Sequence, residues 1–174
     1  GLAREREIGT LEQLMVTPVR RYELLVGKMI PPGIVGLVDF FAMSLLIRFV
    51  FRIPIRGSYL LLSIGSLLFI IAEVAWGMML SAFSATQQQA ILMIFIQAIV
   101  DMAFSGYLVP VQNMPKAFAF LARFVPLQYY LVFVRAVVLK GASLTHVTKN
   151  LLTIMALAIA MTLIAASAIS RKLE

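Results

Sequence analysis

Five long apolar segments, separated by short polar stretches, occupy most of the sequence. A helix that crosses the hydrocarbon core of a bilayer needs about 20 mostly apolar residues, and each segment reaches roughly that length. Only 13% of the 174 residues are charged, whereas about a quarter are charged in an average soluble domain. The mean hydropathy of +0.97 leaves too much apolar surface for a globular core. The sequence therefore predicts an all-α membrane protein, a polytopic bundle of helices.

Four of the five segments are predicted to span the membrane, at residues 29–50, 59–80, 90–109 and 151–169. The remaining segment, residues 115–139, is broken by charged residues and proline and is rich in aromatic residues. Aromatic rings mixed with arginines are typical of the lipid headgroup level, and irregular backbone inside a membrane must be shielded by protein. We therefore expect a re-entrant helical hairpin there. Its candidate residues are Pro110, Pro115, Arg123, Pro126, Tyr129 and Arg135.

The basic residues flank the apolar segments and give the chain a net charge of +7. They form no basic face of the kind that binds nucleic acid, so no nucleic-acid partner is expected. Four spans place both ends of the chain on the same side of the membrane, and both ends are basic. Of the 15 basic residues, seven lie towards the terminal side and eight towards the other. The positive-inside rule therefore does not select an orientation.

Three carboxylates, Asp39, Glu73 and Asp101, lie inside different apolar segments. A charge at mid-bilayer costs roughly 2.5–3.5 kcal/mol, and side chains retained at this cost usually face a bundle interior or a wet cavity. Two interpretations stay open. The acids, with Gln97, line a path for substrate or protons, or they are protonated or arginine-paired groups that join helices. Arg48 is a poor partner for Asp39, because nine helical residues separate the two by roughly 13 Å.

Residue types needed for several kinds of chemistry are missing or isolated. The sequence contains no cysteine and one histidine, so disulfides and thiolate metal sites are excluded and no metal centre is expected. His146 lies in the polar stretch SLTHVTK and is interpreted as a solvated loop residue. No phosphate-binding loop of the form G-x-x-x-x-G-K-[ST] occurs. The sequence thus predicts no enzyme; if ATP drives the protein, another chain hydrolyses the ATP.

A short polar stretch, EREIGTLEQLMVTP at residues 5–18, precedes the first apolar segment. Thr10 fits a helix N-cap, with Gln13 completing a capping box, and Pro18 disfavours helical geometry at Thr17. The pattern predicts one or two turns of amphipathic helix with an apolar stripe and a polar face. From the residues alone, a connector lying on the membrane surface is as good an interpretation as a docking element.

Taken in order, the motifs of the chain resemble those of type-2 ATP-binding-cassette (ABC) exporter permeases, over nearly its whole length. The resemblance is carried by EREIGTLEQLMVTPVRRYELLVGKMIPP, GSYLLL, E-x-x-x-G-x-x-x-S at 73–81, TQQQA at 86–90, SGYLVPVQNMP at 105–115, PLQYY at 126–130 and R-x-x-x-L-K-G at 135–141. By this resemblance, the chain corresponds to the C-terminal half of a multidrug-efflux-like membrane subunit. The resemblance also implies two further spans and a large extracytoplasmic insert before Gly1. Asp101 departs from the pattern, since family members usually carry apolar residues or proline near that position.

The resemblance implies a cytoplasmic coupling segment at residues 1–23 and a transmembrane domain at residues 24–174, with both ends in the cytoplasm of a bacterium and the bundle in its inner membrane. The coupling helix would dock on a separate ABC ATPase through Glu5, Glu7, Thr10, Glu12, Gln13, Thr17 and Pro18. ATP and Mg²⁺ would bind to that ATPase, so no cofactor is expected on this chain. A second permease, identical or related, and membrane lipid are expected partners, and a periplasmic adaptor is a further candidate.

Two functions follow as expectations. The resemblance favours ATP-driven export of hydrophobic or amphipathic substrates, such as drugs, lipids or glycans, out of the cytoplasm or the inner leaflet. The alternative is a proton-coupled secondary transporter that uses Asp39, Glu73 and Asp101 directly. The two differ in whether transport depends on an ATPase.

Overall fold

A computed structural model of the chain describes residues 21–172. Over this range the backbone is helical, with no strand. The six α-helices of this range are α1 (Arg21–Leu45), α2 (Tyr59–Phe83), α3 (Gln87–Phe104), α4 (Lys116–Ala122), α5 (Pro126–Lys140) and α6 (Leu144–Lys172). A π-helical turn, Leu46–Val50, continues α1, and a 3-10 turn, Val111–Asn113, precedes α4.

Four helical segments are long and apolar enough to cross a membrane: Val26–Val50, Tyr59–Phe83, Gln87–Phe104 and Leu144–Ala168. The predicted all-α polytopic fold with four spans is therefore confirmed for the described residues. In such helices the backbone N–H and C=O groups bond within the segment, as hydrocarbon requires. The pair formed by α4 and α5 is also apolar, but its two helices meet at 79°. The break falls at residues 123–125, inside the segment predicted to be broken, and the bend suits either a broken span or a re-entrant pair.

A reciprocal cap holds the connection between α2 and α3. The Thr86 hydroxyl accepts a hydrogen bond from the Gln89 backbone N–H (3.2 Å), and the Gln89 side chain accepts one from the Ala85 N–H (2.7 Å). This arrangement resembles a capping box, and it starts α3 before the predicted bound of 90. At its other end α3 stops short of the predicted bound of 109, because the chain turns at Gly106, which adopts a φ of 80°.

The helix α6 also begins earlier than the predicted span of 151–169. The polar stretch before that span is helical, so the interpretation of His146 as a loop residue is wrong, although its side chain is exposed. The His146 Nδ1 atom lies 3.0 Å from the Ser143 hydroxyl. Val147, one residue further, is 1% exposed and packs in the core. This tertiary contact stabilises a helical turn that hydropathy alone does not predict.

The central helix is α2, which contacts α1, α3, α5 and α6 and makes its most extensive contact with α6. Small side chains build much of the α2–α6 interface. The buried residues there are Ala72, Ala75, Met78 and Ala82 of α2 and Ala158, Met161, Ala165 and Ala168 of α6. Lipid tails are as apolar as leucine, so helices in a bilayer associate through close packing, for which small residues are suited. The alanines therefore allow the close approach that holds the two helices together.

A second buried cluster joins α2 to α5 and to the start of α6. At its centre is Phe133 of α5, which is 0% exposed and packs so closely on Gly65 of α2 that a Cβ there would overlap the ring. Tyr130 packs against the same cluster. Helix packing thus places these two aromatic residues against protein, while their depth in the membrane stays a prediction. The exposed aromatic residues of 115–139 are Phe118, Phe120 and Phe124.

Substitution of Gly65 by alanine should destabilise the protein, whereas the same substitution at Gly77 should not. The methyl group added at Gly65 overlaps the buried Phe133 ring, and overpacking of this kind costs about 1–3 kcal/mol. At Gly77, in the same helix, no described atom lies within 4 Å of an added Cβ, and alanine is the better helix former by about 1 kcal/mol. The melting temperature of the purified protein in detergent measures both effects. Equal losses for the two variants would contradict the α2–α5 packing.

Candidate functional site

Polar side chains of α2 and α3 meet at the same depth of the bundle. Glu73 lies eleven residues before Ser84, the cap that ends α2, and Gln97 lies eleven residues after Thr86, the cap that begins α3. Because the connection between the two helices is short, these equal separations place the side chains opposite each other. Asp101 follows Gln97 by four residues, so both lie on the same face of α3.

One amide group joins the two carboxylates. The Gln97 Nε2 atom donates to Glu73 Oε2 (3.4 Å) and to Asp101 Oδ2 (3.3 Å). Asp101 is only 7% exposed, and the remaining oxygens, Glu73 Oε1 and Asp101 Oδ1, are buried without a hydrogen-bond partner among the described residues. None of the described arginines and lysines forms an ion pair with either acid. We call Glu73, Gln97 and Asp101 the carboxylate cluster.

The carboxylate cluster joins two helices through an amide. Of the two forms of the joining interpretation, protonated or arginine-paired, the arginine-paired form is not seen for Glu73 or Asp101 among the described residues. Two ionised carboxylates without a basic partner are costly in an apolar interior. A proton held on one of them removes that cost, so the arrangement can store a proton within the bundle. No group of three or more histidine, cysteine, aspartate or glutamate side chains suited to a metal ion occurs in residues 21–172.

Asp39 does not join the carboxylate cluster. It lies in α1 and lines a groove between α1, α2 and α5 with a volume of about 270 Å³. Most other side chains that line this groove are apolar or aromatic, among them Phe40, Met43, Phe69, Ile70, Tyr130 and Val134. We call it the α1–α2–α5 groove.

The hydroxyl groups at the α5 wall of the groove bond within the protein. The Ser66 hydroxyl donates to the Leu62 carbonyl (2.8 Å), so at its 2.8 Å contact with Tyr130 it accepts the tyrosine proton. The Tyr130 ring also stacks on Phe69, with centroids 4.2 Å apart and planes within 2°. Asp39 is the one charged side chain among the described residues that line the groove.

The candidate hairpin residues lie around α4 and α5. Four of them mark the ends of elements: Pro110 before the 3-10 turn, Pro115 before α4, Arg123 after α4 and Pro126 at the start of α5. The Tyr129 hydroxyl donates to the Arg123 carbonyl across the bend (3.2 Å), while Arg135 is exposed on α5. The structure therefore brings Tyr129 and Arg123 into contact, and none of the six hydrogen-bonds to the carboxylate cluster.

The predicted ATPase-coupling residues lie outside the described part of the chain. They are Glu5, Glu7, Thr10, Glu12, Gln13, Thr17 and Pro18. Their assignment therefore stays a prediction from the sequence.

Two features of the site are absent from the sequence predictions. The sequence groups Gln97 with the intramembrane acids but does not predict that it is their shared donor; its four-residue spacing from Asp101 is the available signal. No local sequence pattern predicts the α1–α2–α5 groove, because its walls come from three helices, one of which is distant from the others in sequence.

Four apolar helices long enough to cross a membrane, with a cluster of polar side chains between α2 and α3, are typical of a polytopic helical membrane protein. The particular family is given by the sequence: residues 1–167 match the ABC-2 family transporter proteins. The chain belongs to this family, and the resemblance drawn from the motifs is confirmed.

The chain is also similar to three permeases of Escherichia coli strain K12. It is 32% identical over 151 residues to the probable multidrug ABC transporter permease YbhR, covering 87% of this chain and 41% of YbhR. It is 29% identical over 162 residues to the probable multidrug ABC transporter permease YbhS, with 91% and 42% covered. It is 28% identical over 158 residues to the inner membrane transport permease YhhJ, with 90% and 42% covered. The chain thus spans less than half the length of these relatives. No solved structure matches it.

Replacement of Gln97 by leucine should destabilise the contact between α2 and α3. Without the shared donor, the two buried carboxylates lose their hydrogen bonds, at a cost of about 1–3 kcal/mol in the free energy of unfolding. Adding Asp101→Asn should recover part of this loss, because it removes a charge and supplies an amide donor. Melting temperatures of the two single variants and the double variant give the coupling in stability between Gln97 and Asp101.

The matched control for this series is Gln88→Leu, at an exposed position in the first turn of α3. It should change the stability by no more than about 0.5 kcal/mol. A double variant that is no more stable than Gln97→Leu would contradict the bridging role of the amide.

Replacement of Tyr130 by phenylalanine should weaken the contact between α2 and α5 by one hydrogen bond, about 0.5–1.5 kcal/mol. The ring still stacks on Phe69, and Ser66 keeps its own bond to α2, so the variant isolates the phenol group. Tyr130→Leu should cost more, because the stacking is also lost. Tyr129→Phe, which removes an exposed hydrogen bond, is the control and should melt close to the unmodified protein. Equal melting temperatures for the phenylalanine and leucine variants at Tyr130 would exclude a role for the stacked ring.

Proposed function

We propose that this chain is part of the membrane subunit of an ATP-driven exporter in a bacterial inner membrane. It would move hydrophobic or amphipathic compounds out of the cytoplasm or the inner leaflet. The observation that carries the proposal is the match to the ABC-2 transporter family over residues 1–167, which includes both the spans and the stretch at 5–18. The names of the relatives, two probable multidrug ABC transporter permeases and one inner membrane transport permease, support this role and drugs as substrates.

The energy for transport would come from a separate ABC ATPase that binds ATP and Mg²⁺. The apolar stripe and polar face predicted for residues 5–18 suit a helix that docks in a groove of such a partner. We place this segment in the cytoplasm, together with both ends of the chain. The 105–115 connection would then face the opposite side of the membrane, with the α4–α5 pair as a re-entrant hairpin there.

The transport cycle would be alternating access in a complex of two permeases and two ATPases. ATP binding would draw the coupling segments together, and α1 follows this segment directly in the chain. Because α1 contacts α2, its movement would be transmitted to the helix that carries Glu73. Substrate would leave past the α4–α5 hairpin at the outer face.

A proton-coupled secondary transporter is the second candidate, and the carboxylate cluster is the observation that favours it. Two acids that share one donor within the membrane are the kind of group on which proton relays are built. In that case Glu73→Gln would abolish transport and inactivation of the ATPase would not. In the ATP-driven exporter, inactivation of the ATPase abolishes transport.

A single cysteine at Glu12 should crosslink to the co-expressed ABC ATPase, with a higher yield when ATP is present. The 174 residues contain no cysteine, so a thiol reagent reports this position alone within them. Glu12→Ala should reduce transport severalfold, because it removes a polar contact to the ATPase. Crosslinked products are measured by immunoblotting of membranes that carry both proteins.

The control is Gln112→Cys, at an exposed position of the 3-10 turn. It lies beyond the end of α3 that is opposite to the 84–86 connection, so it should give no crosslink to a cytoplasmic ATPase. No capture at Glu12, together with full transport by Glu12→Ala, would overturn the coupling assignment.

A further inference from the structure

Asp39 contributes a single carboxylate, exposed in the described part of the chain, to the lining of the α1–α2–α5 groove. It lies near the middle of the 25-residue span Val26–Val50, about 20 Å along the helix from Val26 at 1.5 Å per residue. None of the described side chains forms a hydrogen bond or an ion pair with its carboxylate. A charge near the middle of a span without a partner is energetically costly, and such residues usually contact another polar group.

The other polar groups of the groove are already satisfied within the protein. The Ser44 hydroxyl donates to the Phe40 carbonyl (2.8 Å), and the Ser66 and Tyr130 hydroxyls bond to α2 and to each other. A ligand in the groove therefore meets apolar side chains, aromatic rings and one anion. This is a site with a single polar requirement, which is a positive charge.

We infer that the α1–α2–α5 groove binds hydrophobic monocations, in which a quaternary or protonated amine is attached to an aromatic or branched apolar body. Charge complementarity with Asp39 selects the cation, and the apolar walls select the body. Ring faces such as that of Phe40 attract the same charge. The groove volume of about 270 Å³ lies near the lower end of the range for small-molecule pockets, about 300 Å³. The ligand is therefore expected to be small. The inference rests on the proposed export function and names its substrate class.

Binding of two isosteric probes tests this inference. Trimethyl(4-biphenylyl)ammonium and 4-tert-butylbiphenyl differ only in a charged nitrogen in place of a carbon. Their tritiated forms are bound to the natural-length permease in nanodiscs, without ATP, and scintillation proximity is measured against empty nanodiscs. We expect Asp39→Asn to weaken binding of the cation about tenfold or more and to leave binding of the neutral probe unchanged. Asp39→Glu, which keeps the charge, should keep the preference for the cation.

A groove-filling variant, Met43→Trp, should abolish binding of both probes. Its matched control is Leu152→Trp, on an exposed face of α6 that does not line the groove, and this variant should bind both probes normally. A cation affinity that is unchanged in Asp39→Asn would overturn the inference. So would the absence of binding to the natural-length permease, because another part of the protein or a second copy would then fill the groove.

The binding assay contains no ATPase. A negative result in this assay would therefore contradict the inference about the groove without contradicting the export proposal. Capture of the ATPase at Glu12 with no charge preference in the groove would remove only the inference about substrate. Charge-selective binding without capture at Glu12 would leave the groove as a cation site and overturn the ATP-driven mechanism.

Discussion

The close contact between α2 and α6 is the interaction on which the rest of the bundle depends. Within a bilayer, apolar side chains gain little by leaving lipid, so close packing of small residues must hold the helices together. The alanines of both helices supply it. With α2 held in this way, its remaining surface receives α1, α3 and α5. Glu73 and Ser66 lie two helical turns apart on one side of α2. Glu73 is hydrogen-bonded to Gln97 of α3, and Ser66 is hydrogen-bonded to Tyr130 of α5.

The two polar sites differ in how they offset the energetic cost of a carboxylate within a membrane. In the carboxylate cluster, Glu73 and Asp101 share one amide donor and lie in the contact between two helices. Asp39 has no such donor among the described residues and lines an open groove instead. In the first arrangement one oxygen of each carboxylate is hydrogen-bonded within the protein and the other is buried without a partner among the described residues. The second leaves its charge to be met from outside, as a binding site does.

Much of the fold is predictable because it follows from local properties of the chain. The four spans follow from segment length and hydropathy, and the break at residues 123–125 follows from the charged residue and proline around it. The predictions fail where a tertiary contact acts on a local element. The start of α6 is one such place, because burial of Val147 stabilises a turn that is polar in sequence. The contact of Phe133 with Gly65 is likewise a tertiary feature that no local pattern predicts.

By itself, the sequence determined that the chain is a polytopic membrane protein, where its long apolar helices lie, where the chain breaks and to which family it belongs. Each of these depends on composition, on residues close together in the chain or on motifs in a fixed order. Only the tertiary structure decided which acids are joined, that Asp39 is separate from them, and that a groove lies beside it. Those facts depend on which helix faces meet, and the faces are selected by packing of small side chains across the bundle, which no local pattern records.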